Sequence, residues 1–237
     1  MDTTPTVRLA ATIIPARPST DGFELLMVRR NRELSFGGLW TFPGGRLETI
    51  DGALPATLDE RTQDWSDPEL VATALAGARR ETFEETSIEV ATDAVWVSHW
   101  LPPTVGAPKR FATWFFAAMV LSDEVVLDVA ENDRYQWLSP VAALAAHDSG
   151  ELPLAVPTWV TLHDATSHSS SDALMSASKQ DGPRWYHTRA FAGPESERVL
   201  CWKGDVAYES GALEEPGPRN RARVSPSFSV VERERSD

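Results

Sequence analysis

The chain has 237 residues, of which 42% are hydrophobic, with nine tryptophans among them; it can bury a core and is not a disordered segment. Its formal charge of −13 excludes nonspecific nucleic-acid binding, which needs basic surface. The single cysteine, Cys201, excludes an intramolecular disulfide, no run of about 18 apolar residues offers a membrane span, and no basic segment leads into an apolar one as in a secretory leader. A reducing, cytoplasmic setting is therefore expected, without membrane or nucleic-acid partners.

In chain order, residues 7–14 read as a strand rich in Val, Ile and Thr, ended by Pro15. Residues 23–29 form the next strand, with Thr20-Asp21-Gly22 as the hairpin turn. A short strand over 39–42 leads into the turn Phe42-Pro43-Gly44-Gly45. An acidic stretch from 49 to 69 follows. A long helix then runs to about Thr86. Ser66 with Glu69 could form its capping box, or Asp67 could cap it with Pro68 at the first helical position. Leu75, Ala76 and Phe83 are expected on its buried side. Strands are predicted at 88–99, 111–121 and 133–138, and helices at 140–147 and 157–166. From about 164 the character changes. Residues 166–181 are rich in Ser and read as a loop or linker. Residues 184–191 and 198–202 suggest a hairpin around Gly193-Pro194, 215–221 reads as turn, and 231–237 as a charged tail that frays. Strands mixed with two or three helices indicate an α+β domain.

The chemistry lies in the helix segment Arg80-Glu81-Thr82-Phe83-Glu84-Glu85. At spacings of three and four, Glu81, Glu84 and Glu85 project from one face, where like charges cost about 0.2–0.5 kcal/mol per pair. Glu84 and Glu85 also approach the helix C-terminus, where the macrodipole disfavours anions. A hard divalent cation, which takes oxygen ligands, would reverse the sign of this arrangement. The plain alternative is a solvated acidic face. Ala74 and Gly77 on the same face would let a loop or a phosphate come close.

The glycine turn and this helix together resemble the Nudix box. Gly45 matches its first glycine, and Arg80, Glu81, Glu84, Glu85 and Ile88 match its second half. Three features depart from it. Thr82 fills an apolar slot, and Ser87 stands where the pattern has glycine. In addition, 28 residues separate Asp51, the stand-in for the first Glu, from Arg80, where the standard box has seven. That length resembles the long-insertion subgroup that includes a peroxisomal coenzyme A diphosphatase, as do His99-Trp100-Leu101-Pro102, the segment 110–116 and Trp137-Leu138-Ser139-Pro140. Leu25-Leu26, Arg29 and Gly38 fit a coenzyme A pattern ahead of the glycine turn. Met27, Arg30 and Leu34 do not. The resemblance implies an α/β/α sandwich with a mixed sheet over residues 1–163, a box insertion at about 49–67, and a C-terminal extension over 164–237 packed on the same domain.

It also implies Mg²⁺- or Mn²⁺-dependent hydrolysis of a diphosphate linkage in a nucleoside diphosphate derivative: coenzyme A or an acyl-CoA, ADP-ribose, or a dinucleotide. The expected ligands are Glu81, Glu84, Glu85 and the carbonyl of Gly44, with Arg80 pairing a neighbouring carboxylate. Glu131 is the candidate general base or extra ligand. Glu48 is either a site residue or an exposed loop acid. Arg110 either contacts a substrate phosphate or is a surface arginine. Trp100, Trp114 and Trp137 either stack on a base or fill the core. Cys201, in an apolar run, reads as an inert buried thiol. Two further classes stay open: a Nudix-fold binding or regulatory protein without turnover, motivated by Thr82 and Ser87, and a scaffold whose acidic helix is incidental. Association as a homodimer is compatible with the sequence, which does not fix the oligomeric state.

Overall fold

The structure, a computed structural model, describes residues 7–33, 37–104, 109–225 and 229–233. Leu34 of the coenzyme A pattern and the last residues of the expected tail lie outside them. The chain divides into two compact units. The larger comprises Leu9–Ser98 and Thr113–Pro183; the smaller comprises Met1–Arg8, His99–Ala112 and Arg184–Asp237.

The larger unit is built on strands β1 (Arg8–Ser19), β2 (Gly22–Arg30), β3 (Trp40–Thr41), β4 (Gly44–Arg46), β5 (Val95–Leu101), β6 (Phe111–Met119) and β7 (Asn132–Leu138). The ends of β1, β5 and β6 that fall in 1–8 and 99–112 count with the smaller unit. The order is β3-β2-β1-β6-β5, with β4 paired to β1 and β7 to β2. Helices α1 (Pro68–Thr86), α2 (Pro140–Asp148), α3 (Val156–Ala165) and α4 (Ser171–Asp181) complete it. This is the α+β class with the mixed sheet that the sequence implied. Ile13 and Ile14 of β1 and Leu25 to Val28 of β2 are all buried, on both faces of the sheet, so both strands read as continuous apolar runs rather than alternating ones.

Strand β1 continues through Pro15 to Ser19, past the expected end. Ser19 faces Gly22 across a two-residue turn and Pro18 faces Phe23. In such a hairpin the closing pair exchanges both hydrogen bonds and the next pair exchanges none, so the donor that Pro18 lacks is not needed there. Strand β5 starts later than expected, at Val95, because Thr92-Asp93 turns the chain; only a bridge from Val90 to Val120 precedes it. The Ser-rich run predicted as a linker contains α4. Its Ser170 accepts from the Ala173 amide at 3.1 Å and so caps the helix, and Leu174 and Met175 anchor it.

Helix α1 begins with the second of the two predicted caps. Asp67 accepts from the Leu70 amide at 3.0 Å with Pro68 at the first position, while Ser66 bonds Asp64 instead. Its buried face corrects the expectation. Phe83 is half exposed and Ala76 exposed; the buried residues are Leu70, Thr73, Ala74, Gly77, Ala78, Thr82, Glu85 and Thr86. The carboxylate face is the one that packs, and its small residues Ala74 and Gly77 let the loop after β4 come close, as the sequence suggested. Thr82 is tolerated in its apolar slot because its hydroxyl donates back to the Ala78 carbonyl at 2.7 Å. The helix ends at Ser87, whose φ of 55° is left-handed, with its amide bonded to the Phe83 carbonyl at 2.8 Å. That conformation is the physical reason the family pattern asks for glycine here.

In the smaller unit, β8 (Arg184–His187) lies beside the end of β5 that belongs to this unit, and the Thr188 amide donates to the Leu101 carbonyl at 2.8 Å. Strands β9 (Arg189–Ala192), β10 (Arg198–Cys201), β11 (Asn220–Val224) and β12 (Ser229–Arg233) form an antiparallel sheet in the order β12-β11-β10-β9. The hairpin around Gly193-Pro194 is present as β9 and β10. β11 takes up only Asn220 and Arg221 of the predicted turn, and β12 takes up 231–233 of the expected tail. Trp100 stacks on Tyr186 at a centroid distance of 4.1 Å, with Trp202 edge-on to both. Cys201 is buried, and burial together with the Asp205 charge pushes its thiol up to about 11, as expected of an inert cysteine. Among the described residues no helix is long and apolar enough to cross a membrane.

Candidate active site

The glycine turn is fixed from β1. Pro43 offers its carbonyl to the Ile13 amide at 3.1 Å and to the Thr12 hydroxyl. Gly44 adopts φ 155°, and a Cβ there would strike the Ala11 and Thr12 backbone. A Cβ on Gly45 would strike the carboxylate of Glu81. Gly44 is therefore required for the turn to lie on β1, and Gly45 leaves room for α1 to bring the Glu81 carboxylate onto the turn.

Two clusters of charge meet here. In the first, Arg80 is the hub. Its Nε and Nη2 donate to Asp51 at 2.7 and 3.1 Å, its Nη1 reaches Glu81 at 2.9 Å and Glu84 at 2.8 Å, and its Nη2 also donates to the Arg46 carbonyl at 3.1 Å. The Glu48 amide donates to Asp51 at 2.8 Å. The pairing predicted for Arg80 is thus present, and its main partner is Asp51, the stand-in for the first Glu of the box. In the second cluster Glu85, only 2% exposed, accepts from the Gly44 amide at 3.2 Å and from Arg30 at 3.4 Å; Arg30 also stands 3.8 Å from Glu131.

The charge balance differs between members. Burial works to raise the Asp51 carboxyl, but the hydrogen bonds from Arg80 and the Glu48 amide outweigh it and hold Asp51 below its usual range. Hydrogen bonding to Asp51 raises Arg80 further above its ordinary value. Burial raises Glu81 despite the Arg80 charge, with Glu84 and Glu131 adding repulsion. Burial also pushes Glu85 up to about 8; Arg30 and the Gly44 amide oppose it, and the charges of Glu131 and Glu81 reinforce it.

Not every expected residue joins this centre. The Glu48 side chain is exposed, as in its loop-acid alternative, and its backbone rather than its carboxylate serves Asp51. Arg110 belongs to the smaller unit and is not a surface residue. It is 2% exposed, with Nε donating to the Pro103 carbonyl at 3.0 Å and Nη2 to that of Pro102 at 2.9 Å. Trp114 is a core residue whose indole donates to the Trp65 carbonyl at 3.1 Å, and Trp100 belongs to the aromatic cluster of the smaller unit. Trp137 is half-buried beneath the Arg17 guanidinium at 4.3 Å. Arg30 is the residue that sequence reasoning missed. Its signal was present, since it occupies a slot where the coenzyme A pattern has serine.

A cavity of about 270 Å³ is lined by Ala53, Leu54, Pro55, Gln63, Asp67, Glu69 and Leu70. It lies at the opposite end of α1 from Glu85, about 24 Å away at 1.5 Å per residue. Within the insertion, Asp51 is bonded to Arg80 of the charge cluster.

The donors present are hard oxygens, and ionising Glu81 and Glu85 together would place more negative charge here than the surrounding cations neutralise. Such a set fits a divalent cation. Among the described residues, no three acidic, His or Cys side chains already converge on one point that could hold a metal. Arg80 draws Glu81 and Glu84 aside while Glu85 turns to Gly44 and Arg30.

A glycine turn locked onto a helix that carries Arg-Glu-x-x-Glu-Glu defines the class, a Nudix-type fold with its signature residues assembled. Residues 6–158 match the family model described as NUDIX domain, and the chain belongs to the Nudix family, whose members are hydrolases acting on pyrophosphate bonds. Among solved structures it is similar to a NUDIX hydrolase from Alicyclobacillus acidocaldarius, with 24% identity over 72% of this chain and 96% of that one and a TM-score of 0.57. It is also similar to a MutT NUDIX hydrolase from Burkholderia pseudomallei, with 18% identity over 67% and 98% and a TM-score of 0.46. A third is the NUDIX domain of Shewanella oneidensis NrtR complexed with ADP ribose, with 17% identity over 69% and 88% and a TM-score of 0.47.

Proposed function

We propose that this protein hydrolyses the diphosphate linkage of a nucleoside diphosphate derivative with Mg²⁺ or Mn²⁺. The substrates that fit are coenzyme A or an acyl-CoA, ADP-ribose, and dinucleotides. The long box insertion suggests coenzyme A, and the pattern ahead of the glycine turn supports it in part, with Leu25-Leu26, Arg29 and Gly38 in register but Met27, Arg30 and Leu34 departing. The observation that carries the reading is Glu85, a carboxylate buried to 2% exposure and pushed up to about 8, next to the like charges of Glu81 and Glu131. A purely structural helix has no use for that arrangement. The full set of Glu81, Glu84 and Glu85 argues against a Nudix-fold protein without turnover.

Glu81, Glu84, Glu85 and the Gly44 carbonyl are the groups that would hold the ion. When bound, a divalent cation neutralises phosphoryl charge and lowers the pKa of water. The protein's own part is arrangement. Asp51 holds Arg80, and Arg80 sets where Glu81 and Glu84 stand. The Gly44 amide orients one oxygen of Glu85 and Arg30 steadies the other. Glu131, whose side chain is 45% exposed, would accept the proton of the attacking water.

The test is turnover. The protein is incubated with coenzyme A, an acyl-CoA, ADP-ribose and NADH, with Mg²⁺ or Mn²⁺ and with EDTA. Cleavage between the two phosphorus atoms is expected, giving 3′,5′-ADP and a phosphopantetheine from coenzyme A or AMP from the others, with background rates in EDTA. Metal-independent hydrolysis, or release of a free carboxylic acid from an acyl-CoA, would remove the mechanism. Tight nucleotide binding without products would establish the non-enzymatic alternative.

A further inference from the structure

Next to the carboxylate centre stands a polar group that the mechanism above does not use. Asn132 opens β7 and is fully buried, yet among the described residues neither its Oδ1 nor its Nδ2 has a hydrogen-bond partner. Buried polar atoms are nearly always satisfied, and a side-chain amide with both ends unfilled calls for an explanation. Its backbone is well tied. The Asn132 amide donates to the Asp128 carbonyl at 2.9 Å, the Asp128 amide donates to the Glu85 carbonyl at 3.0 Å, and the Asn31 amide donates to the Glu131 carbonyl at 2.8 Å. The segment carrying Asn132 is thus bonded on one side to the last turns of α1 and on the other to β2.

Register places the side chain. Asn132 pairs directly with Arg30, at the irregularity between Arg29 and Arg30. Directly paired residues of an antiparallel ladder project to the same face. Arg30 uses that face to reach Glu85 and Glu131. Glu85 is itself underfilled. Its two oxygens offer about four acceptor sites. They have contacts at 3.2 and 3.4 Å, long for hydrogen bonds to a carboxylate. Unfilled acceptors on Glu85 and an unfilled donor and acceptor on Asn132 therefore share one buried face. Ordered water makes two to four such bonds and satisfies groups of this kind in protein interiors.

We propose that Asn132 is a positioning residue of the carboxylate centre, its carboxamide binding ordered water that hydrogen-bonds onward to Glu85 and fixes the orientation of that carboxylate. Nδ2 donates to the water, the water donates to a Glu85 oxygen, and Oδ1 accepts from a second water of the same chain. Asn132 touches neither substrate nor reacting atoms. It acts through Glu85.

This role rests on the hydrolase reading only for its kinetic consequence, so the experiment has two arms. In the first, Asn132→Leu replaces the carboxamide by an apolar group of similar volume. Because an apolar group of similar volume replaces the water-bonded carboxamide, the metal-free variant should melt near the wild-type temperature. Its kcat should fall about 10- to 100-fold, the usual loss when a group that orients a ligand is removed, with KM unchanged. A merely structural residue would give the same melting behaviour with unchanged kcat, and that result overturns the proposal. The second arm needs no substrate: a high-resolution crystal structure of the wild-type protein. Ordered water bonded to both the Asn132 carboxamide and the Glu85 carboxylate is expected. A carboxamide bonded only to protein atoms overturns the proposal whatever the turnover assay shows, and this arm decides alone if the leucine variant does not fold.

Discussion

In the smaller unit, the buried carboxylate of Asp205 meets Arg221 through bonds of 2.7 and 2.6 Å and accepts from the Ala207 and Asn220 amides at 2.8 Å each. In the larger unit, the equally buried Glu85 has the Gly44 amide at 3.2 Å and Arg30 at 3.4 Å. Burial works to raise both groups. At Asp205 the hydrogen bonds win and hold it below its ordinary value; at Glu85 burial wins and the group rises to about 8. Glu197 repeats the first pattern, lowered by two bonds from Arg223 at 2.7 and 2.8 Å. The same residue types thus build two kinds of centre. In one, every anion is matched and the fold is held. In the other, anionic charge exceeds the cations supplied, and the deficit marks the place where the chain expects something from outside.

The comparison can be broken from either side. The largest effect is expected at the matched pair. Asp205→Asn leaves Arg221 buried without its counter-charge, which costs about 3–5 kcal/mol. Denaturant unfolding should show it, and a loss under 1 kcal/mol would mean that the pair is not what holds this unit. At the unmatched centre the order reverses. Glu85→Gln should lower kcat by at least about a hundredfold, or ~2.7 kcal/mol of transition-state stabilisation. Without metal the variant should be as stable as the wild type or more so, because the substitution relieves like-charge repulsion. Destabilisation would make Glu85 a structural residue.

pH separates the two centres next. Asp205 and Glu197 are lowered, so their contribution is present above their ordinary values and is lost as pH falls through the folded ones, in strong acid. Glu85 is raised from 4.5 to about 8, so the folded state binds more protons than the unfolded one across that window. Its contribution is present below about 4.5 and is lost as pH rises through about 8, with Glu81 shifted in the same direction. Stability of the metal-free protein should therefore fall as pH rises from about 4.5 to about 8, a loss that Glu85→Gln reduces and Asp205→Asn does not. The smallest effect concerns the helix end. Ser87 holds φ 55°, and Ser87→Gly should stabilise by about 1 kcal/mol, visible as a raised melting temperature with activity intact.

These two centres also show what a sequence displays. The Arg80 to Glu85 segment is legible because it is local: its meaning follows from helical spacing and from the glycine turn that meets it. Asp51 was readable as a stand-in by pattern, but its two bonds to Arg80 span 29 residues and belong to tertiary structure. Arg30 stood out only as a mismatch. The buried face of α1 was misread because Ala, Gly and Thr look neutral, whereas the close approach of the glycine turn favours small residues. β11 was hidden by its own charges, since Arg221 and Arg223 break an apolar strand pattern and are neutralised only in the folded chain, by Asp205 and Glu197. α4 was hidden by serines, one of which is its cap.

The central claim is that the excess negative charge at Glu81 and Glu85 is there for a divalent cation. Calorimetric titration of the metal-free protein with Mn²⁺, run in parallel on Glu85→Gln and on Ser87→Gly as a folded control, tests it most directly. The account predicts saturable binding to the wild type and to Ser87→Gly, with affinity lost or reduced at least about tenfold, ~1.4 kcal/mol, in Glu85→Gln. No binding to the wild type, or equal affinity in all three proteins, would contradict it.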